Sequence, residues 1–310
     1  VLMTSPIDVI AHALRVVASF KTQLPNLEVT WVVRRRYLPI VTAFDCVDRA
    51  IPFHRTGGLF AGIELARTIR RERYDFVFDL EGHARTGAMC WVARGRRKVG
   101  RSDAREGATV CYREVVEPPA NGDGHLLETM LEFGRVFGLG NRLDGELRMR
   151  VSAEPVAEWG SAEIGGVKRV CLFPERYKSS RAWPRMLDFG RDLAADREDV
   201  RVFALGPADP EGGRVGGERL VDLRGKADWA RICSMLREAD LTVANDNGPS
   251  QLAGALERPN LTLFSYALPE RRGSYPLSAD RNAWIAAPRG DVTKIDARQV
   301  RAIAEKLLDA

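Results

Sequence analysis

The sequence predicts an α/β protein made of two doubly wound, Rossmann-like domains, and three observations carry that expectation. Short apolar runs bounded by turn residues alternate with longer segments of helical apolar spacing along the whole chain. A stretch at 138–162, rich in Gly, Asn and charge and without a long period, divides the alternation into two halves. At 310 residues the chain can bury two cores of ordinary size. The implied domains are residues 1–155 and 156–310. Regular strand–helix alternation on both sides of a linker is the pattern of parallel sheets covered by helices. Two such domains facing each other across a cleft would bring ligands to the carboxyl edges of their strands.

The elements follow in order. Residues 1–5 read as a buried strand, Pro6-Ile7-Asp8 as a turn, and residues 9–20 as a helix. Strands are expected at 28–33 and 49–53. The helix at 60–71 sets Phe60, Ile63, Leu65, Ala66 and Ile69 against Arg67, Arg70 and Arg71. The strand at 75–80 (DFVFDL) runs into Glu81-Gly82-His83, followed by a helix at 85–93, a strand at 98–100 and a helix at 125–137. Beyond the linker come strands at 169–173, 200–205, 241–244 and 260–264, with helices at 186–195 and 227–236. An amphipathic helix at 295–308 closes the chain, and its pattern allows it to pack back on the N-terminal domain.

The most informative stretch is 243–256 (VANDNGPSQLAGAL). An apolar run breaks at Asn245-Asp246-Asn247-Gly248, and a small-residue helix starts with Pro249 in its first turn. Gly248 lets a ligand approach the backbone, the N–H groups of the helix start favour an anion, and Asp246 is an acceptor beside them. An ordinary strand-to-helix connection reads the same way.

Composition narrows the classes. Hydrophobic residues at 45% and charged residues at 29% suit a soluble globular protein, and no run of 18 apolar residues marks a membrane span. Residues 1–5 are too few for a signal peptide; the chain opens inside a strand without an initiator Met, which implies that a few residues precede it. Five widely spaced cysteines without a C-x-x-C pair point to free thiols in a reducing cytoplasm. The four histidines give no metal pattern. The net charge of +5 is clustered at Arg34-Arg35-Arg36, Arg70-Arg71 and residues 94–98. Such runs are solvated faces or attract a phosphorylated or membrane-surface partner. No aromatic residues interleave with them, so no nucleic-acid partner is expected. Neither half has a G-x-G-x-x-G turn after a strand, which argues against a dinucleotide oxidoreductase.

Five stretches then line up in order: residues 5–10 (SPIDVI), 74–82 (YDFVFDLEG), 178–184 (KSSRAWP), 243–256, and 264–272 (FSYALPERR). The series resembles the lipopolysaccharide heptosyltransferases, the family 9 glycosyltransferases of GT-B fold. Those proteins carry S-x-G-D-V, Y-D-x-x-I-D-x-Q-G, K-x-W-P, D-S/T-G-x-x-H-L-A and F-G-P-T-D-P elements in this order. The resemblance covers nearly the whole chain.

The resemblance implies an inverting, metal-independent glycosyltransferase that moves a heptose-like sugar from an ADP-activated donor to a lipopolysaccharide-core or related glycan acceptor. The ADP-sugar is then a co-substrate, with no further cofactor. Asp8 matches the family's proposed base, which takes the proton of the acceptor hydroxyl as that oxygen attacks the anomeric carbon. Arg181 matches the Lys of K-x-W-P, with Trp183 and Pro184 in register, and would face the donor diphosphate with help from Lys178 and Ser179. Asp246, Asn247 and Gly248, with Pro249 and Gln251, match the donor turn. Lys226 stands where the family's segment borders the adenine. Glu81 and Arg85 fall on the acceptor side. The implied place is the cytoplasm, at the inner face of the membrane, with the basic surface in peripheral contact.

Departures from the family pattern are concentrated at the site. The Gly before the base is Ile7, the His of the donor turn is Gln251, the Gln of D-x-Q-G is Glu81, and the fifth element has lost its Gly and acidic residue at 265–269. Altered specificity accounts for these changes. So does the alternative of a non-catalytic nucleotide-sugar or glycan-binding protein that kept the fold.

Overall fold

The structure is a computed structural model and describes residues 1–119, 124–150, 157–159, 166–174, 180–208, 216–266, 269–275 and 280–310. The chain forms two compact units, Val1–Val151 and Ser152–Ala310.

In the first unit, β1 (Thr30–Arg34) pairs in parallel with β2 (Arg49–Phe53), Val32 standing against Ile51. A second parallel set comprises β3 (Tyr74–Phe78), β4 (Gly95–Arg101) and β5 (Glu114–Val116). The opening residues join the two sets. Leu2 bridges both Val32 and Asp79 in the parallel sense, and its N–H donates to the Phe78 carbonyl at 2.8 Å. Residues 2–4 are thus the central strand, with β1 and β2 on one side and β3, β4 and β5 on the other. This is the doubly wound order, and its switch point lies beside residues 2–4.

Helix α1 (Ile7–Gln23) starts two residues earlier than its apolar spacing indicates, because Pro6, at φ −62°, serves as N-cap. It packs against α5 (Leu126–Leu131). Short α2 (Leu38–Thr42) leads to β2, while α3 (Gly58–Arg70) and α4 (Ala84–Val92) pack on each other. Right-handed crossovers in the two directions from the switch point put these helix pairs on opposite sheet faces. The core under α3 and α4 combines Leu65, Ile69, Met89 and Cys90 with Leu2, Val32, Ile51 and Val77 of the sheet.

The second unit repeats the order. Its strands are β6 (Lys168–Phe173), β7 (Val200–Ala204), β8 (Leu220–Asp222), β9 (Leu241–Asn245), β10 (Asn260–Phe264) and β11 (Asn282–Ala286), all parallel, arranged β11-β10-β9-β6-β7-β8. The switch point lies between β6 and β9. The helices are α6 (Met186–Asp196), α7 (Trp229–Glu238), α8 (Gly248–Ala255), α9 (Pro269–Arg272) and α10 (Ala297–Leu308). The apolar face of α10 is used within its own unit: Val300, Ala304, Leu307 and Leu308 join the core with Val243 and Leu263.

The expected linker is narrower than its composition suggests. Asp45 N–H donates to the Arg148 carbonyl and Arg150 N–H to that of Ala43, so residues 148–150 pair within the first unit. Trp159 is buried in the second unit, its ring 4.6 Å from Phe203. The basic cluster at 94–98 is mostly strand: Arg97 is hydrogen-bonded to Glu114 and Lys98 to the Trp91 carbonyl. Among the described residues no helix is long and apolar enough to cross a membrane.

All five cysteines are free thiols, and Cys46, Cys90, Cys171 and Cys233 are buried. Burial pushes the thiols of Cys46, Cys90 and Cys233 up to about 12. Only Cys111 is partly exposed. A thiol reagent at neutral pH should label one cysteine quickly in the native protein and the remaining four only after denaturation, because the thiolate is the reacting form. Fast labelling of more than one thiol would contradict the burial pattern.

Candidate functional site: the carboxyl edges of two sheets

Each unit presents candidate residues at the carboxyl edge of its sheet, next to its switch point. In the second unit the chain leaves β9 through Asn245, Asp246 and Asn247 and enters α8. Asn247 is the N-cap in extended geometry (φ −149°, ψ 177°), its side chain does not cap the helix, and Pro249 occupies the first turn. The first-turn N–H groups and the positive end of the helix dipole are thus turned to the edge. Asp246 is half-buried, and its backbone N–H donates to the Leu263 carbonyl at 3.0 Å.

The neighbouring loop carries Arg181, which is exposed, and Trp183, which is 2% exposed. Trp183 fixes the loop twice. Its backbone N–H donates to Asn245 Oδ1 at 3.1 Å, and its indole N–H donates to the Ile295 carbonyl at 3.2 Å. Asn245 is fully buried, and its Nδ2 has no hydrogen-bond partner among the described residues. One side chain therefore connects the turn at 246–249 to the loop bearing Arg181. Lys178 and Ser179 lie outside the described residues.

Lys226 sits in the turn between β8 and α7. Its side chain is exposed, with Nζ 3.6 Å from Glu158. The backbone is the ordered part: Gly225 N–H donates to the Gly206 carbonyl at 2.8 Å. Gly225 has φ +76°, and a Cβ there would stand 2.7 Å from Ala208 Cβ, so the two turns close together only with glycine. Gln251 does not face the edge as the sequence suggests. It is 1% exposed and donates from Nε2 to the Arg272 carbonyl at 2.7 Å, while Ser274 Oγ donates to the Ser250 carbonyl at 2.9 Å. Gln251 thus fastens α8 to the end of α9.

In the first unit, Asp8 is the second residue of α1 and half-buried. Among the described residues its carboxylate has no hydrogen bond or ion pair, and it is not the helix cap, which is Pro6. Ile7 begins the helix, has no positive φ, and is 7% exposed. The isoleucine at the family's glycine position therefore costs no backbone strain.

The turn after β3 is organised by Asp79, which is fully buried. Asp79 Oδ1 accepts from the N–H groups of Glu81 (3.1 Å) and Gly82 (3.0 Å), and Oδ2 accepts from the Tyr112 hydroxyl (2.8 Å). Gly82 follows at φ +74°. Glu81 was expected to meet the acceptor; instead its side chain is 3% exposed and fully engaged. It accepts from Thr4 N–H at 2.5 Å and Thr4 Oγ1 at 2.9 Å, and Arg85 Nη2 stands 3.3 Å from its other oxygen. Glu81 clamps the central strand and aims Arg85.

Arg85 also lies over the Phe53 ring at 5.4 Å. Arg34, at the end of β1, is held below the usual arginine range by burial and then by the like charges of Arg85, Arg36 and Arg55. Arg34 thus feels the charge of three other guanidinium groups, and the buried Nε atoms of Arg34 and Arg85 have no partner among the described residues. Like charges held together with unsatisfied donors are the complement of an anionic ligand. The sequence shows Arg34 only as part of a charge run; its electrostatic coupling to Arg55 and Arg85 depends on parallel pairing of β1 with β2 and on the turn after β3.

Burial pushes the Asp79 carboxyl above its ordinary value of 3.8, against the hydrogen bonds it accepts. The folded state then holds a proton that the unfolded chain has lost, so this contribution to stability is full below 3.8 and falls away as pH rises through the elevated value. Asp79→Asn can still accept from both N–H groups and donate to the Tyr112 oxygen. Urea unfolding across acid to neutral pH should show the variant gaining stability relative to wild type as pH rises; parallel profiles would contradict this.

Among the described residues no group of three His, Cys, Asp or Glu side chains is placed to hold a metal ion. The fold and the two edges define a protein of the GT-B class. The sequence model of glycosyltransferase family 9 (heptosyltransferase) matches residues 211–297, which include the turn at 245–249. The lipopolysaccharide core heptosyltransferase OpsX of Haemophilus influenzae is 19% identical over 288 residues, covering 89% of this chain and 81% of that protein. Lipopolysaccharide heptosyltransferase 1 of Escherichia coli K12 is 21% identical over 322 residues, covering 99% and 98%. The structure of E. coli heptosyltransferase WaaC with ADP superposes with a TM-score of 0.80 at 20% identity, over 99% of this chain and 98% of that one. The chain is thus similar over nearly its whole length to lipopolysaccharide heptosyltransferases, and its segment 211–297 matches the family 9 model.

Proposed function

We propose that the protein is an inverting glycosyltransferase that moves a heptose-like sugar from an ADP-activated donor to a lipopolysaccharide-core or related glycan acceptor. The observation that carries the donor half is the turn at 245–249, which puts a helix start and an acidic side chain at the switch point within the segment the family model matches. The named relatives are lipopolysaccharide heptosyltransferases, and the superposed structure holds ADP.

In this reading the acceptor hydroxyl oxygen attacks the anomeric carbon, the bond from that carbon to the β-phosphate oxygen breaks, and ADP leaves. Asp8 takes the hydroxyl proton. Arg181 and the start of α8 stabilise the charge that develops on the diphosphate, a role that the resemblance extends to Lys178 and Ser179. Asp246, Asn247, Gly248 and Pro249 form the donor turn, the turn at Lys226 lies against the nucleotide through its backbone, and Gln251 holds α8 in place. Arg85 and Arg34 meet an acidic group of the acceptor. The ADP-sugar is a co-substrate, and neither a metal nor another cofactor takes part. The protein works in the cytoplasm at the membrane face where such acceptors are assembled.

The test is release of ADP by the purified protein with ADP-heptose and a lipopolysaccharide-core acceptor. Acceptor-dependent turnover supports the proposal. Calorimetric ADP binding without turnover would leave only the nucleotide-sugar-binding alternative, and absence of ADP binding would remove both.

A further inference from the structure

We infer that the outward surface of α3 and α4 docks onto an anionic lipid bilayer. The chain's positive charge and its exposed apolar side chains sit in the same stretch. Residues 54–115 contain 13 Arg and Lys against eight Asp and Glu, a net +5 equal to that of the whole chain. Six of the seven exposed large apolar side chains among the described residues fall within it, Tyr266 being the other.

Leu59 and Phe60 are 78% and 87% exposed at the start of α3, and Ile63 continues their line one turn on. Arg67 and Arg70 follow at spacings of three and four, on the same side of the helix. The opposite side of α3 is already in the core through Leu65 and Ile69. The outward apolar tips therefore contribute nothing to the fold. Helix α4 is joined to α3 by the Arg70 side chain, which donates to the Val92 carbonyl at 3.1 Å, and it exposes Trp91. The turn Ala108–Cys111, which packs on α4, exposes Val110.

This combination fits a bilayer surface. Apolar tips enter the boundary between headgroups and acyl chains, a tryptophan ring suits headgroup level, and arginines on flexible stems reach lipid phosphates. The arginine surround selects an anionic surface over a neutral one. The start of α3 is also at the carboxyl edge of its sheet, the edge that carries Asp8 and Arg85. The inference rests on the proposed function only in that a lipid-anchored acceptor is presented at a membrane.

The experiment is co-sedimentation of the full chain with phosphatidylcholine vesicles, with and without phosphatidylglycerol. Wild type should bind the anionic vesicles roughly tenfold more tightly than the neutral ones, with binding falling as salt screens the arginines. The Leu59→Ser, Phe60→Ser double variant should lose roughly tenfold in binding at an unchanged melting temperature, because both side chains are exposed and outside the core. Equal affinity for both vesicles, or unaltered binding by the variant, would overturn the inference. So would lipid-free self-association of wild type that the double variant abolishes, which would make a second copy the occupant. ADP affinity measured by calorimetry is a separate readout: it should be unchanged in the variant, and its absence in wild type would count against the proposed function while leaving vesicle binding intact.

Discussion

Asp8→Ala should lower kcat for sugar transfer by about 10²–10⁴-fold while leaving the KM for the donor near its wild-type value. The side chain is half-buried on the first turn of α1 and makes no hydrogen bond or ion pair among the described residues, so its removal leaves no partner unsatisfied. Its loss therefore falls on proton transfer and not on stability. Asp8→Asn keeps the shape and removes the base, and should be as impaired as the alanine variant. The measurement is initial-rate ADP release with both substrates varied. Wild-type kcat in either variant would sink the assignment of the base, and a matching fall in melting temperature would reassign Asp8 to structure.

The second large effect is on stability. Trp183→Ala should cost about 3–5 kcal/mol, the usual range for emptying a buried large aromatic site. That is a large share of the roughly 5–15 kcal/mol that holds a typical domain folded. Trp183 is in the core of the second unit, near Phe189, and its indole N–H donates to the Ile295 carbonyl. Trp183→Phe separates the contributions, retaining most of the volume while leaving that carbonyl without its donor, which costs about 1–3 kcal/mol. Urea unfolding of both variants, beside ADP affinity, checks the argument. If the loop is held as described, affinity should fall with stability, since Arg181 is two residues from the anchor. Full stability in the alanine variant would contradict the burial of the ring.

Much of this was legible in the residues, and the limits have physical causes. Strands β6, β7, β9 and β10 are nearly continuous apolar runs because sheets covered on both faces bury every side chain. The edge strands β5 (burial intermediate, exposed, buried) and β8 are three residues long and half wet, so they give neither an apolar run nor a clean alternation. The segment 125–137 has one helical period but forms α5 followed by a tighter 3₁₀ segment, Glu132–Phe137, and near-identical side-chain spacing hides that change. The positions of Asp8, Arg181 and the turn at 245–249, each following a strand, could be placed from local sequence patterns. Glu81 and Gln251 were read as facing ligands, yet their partners, Thr4 and Arg272, lie 77 and 21 residues away in sequence. Pairings of that kind leave no local trace. The same holds for the charges of Arg55 and Arg85 that act on Arg34.

The position of residues 2–4 has a consequence for how the chain is made. They form the middle of the first sheet, but they leave the ribosome before any strand they pair with. Leu2 meets Val32 and then Asp79, and Thr4 meets Glu81. At roughly 5–20 residues per second, about 4–15 s of synthesis separate Thr4 from the carboxylate that fastens it. Through that interval residues 2–4 lack their neighbour on the β3 side, and the nascent chain carries an open strand edge of the kind that recruits other chains. The first sheet is therefore closed through its middle only once residues 79–81 have been made.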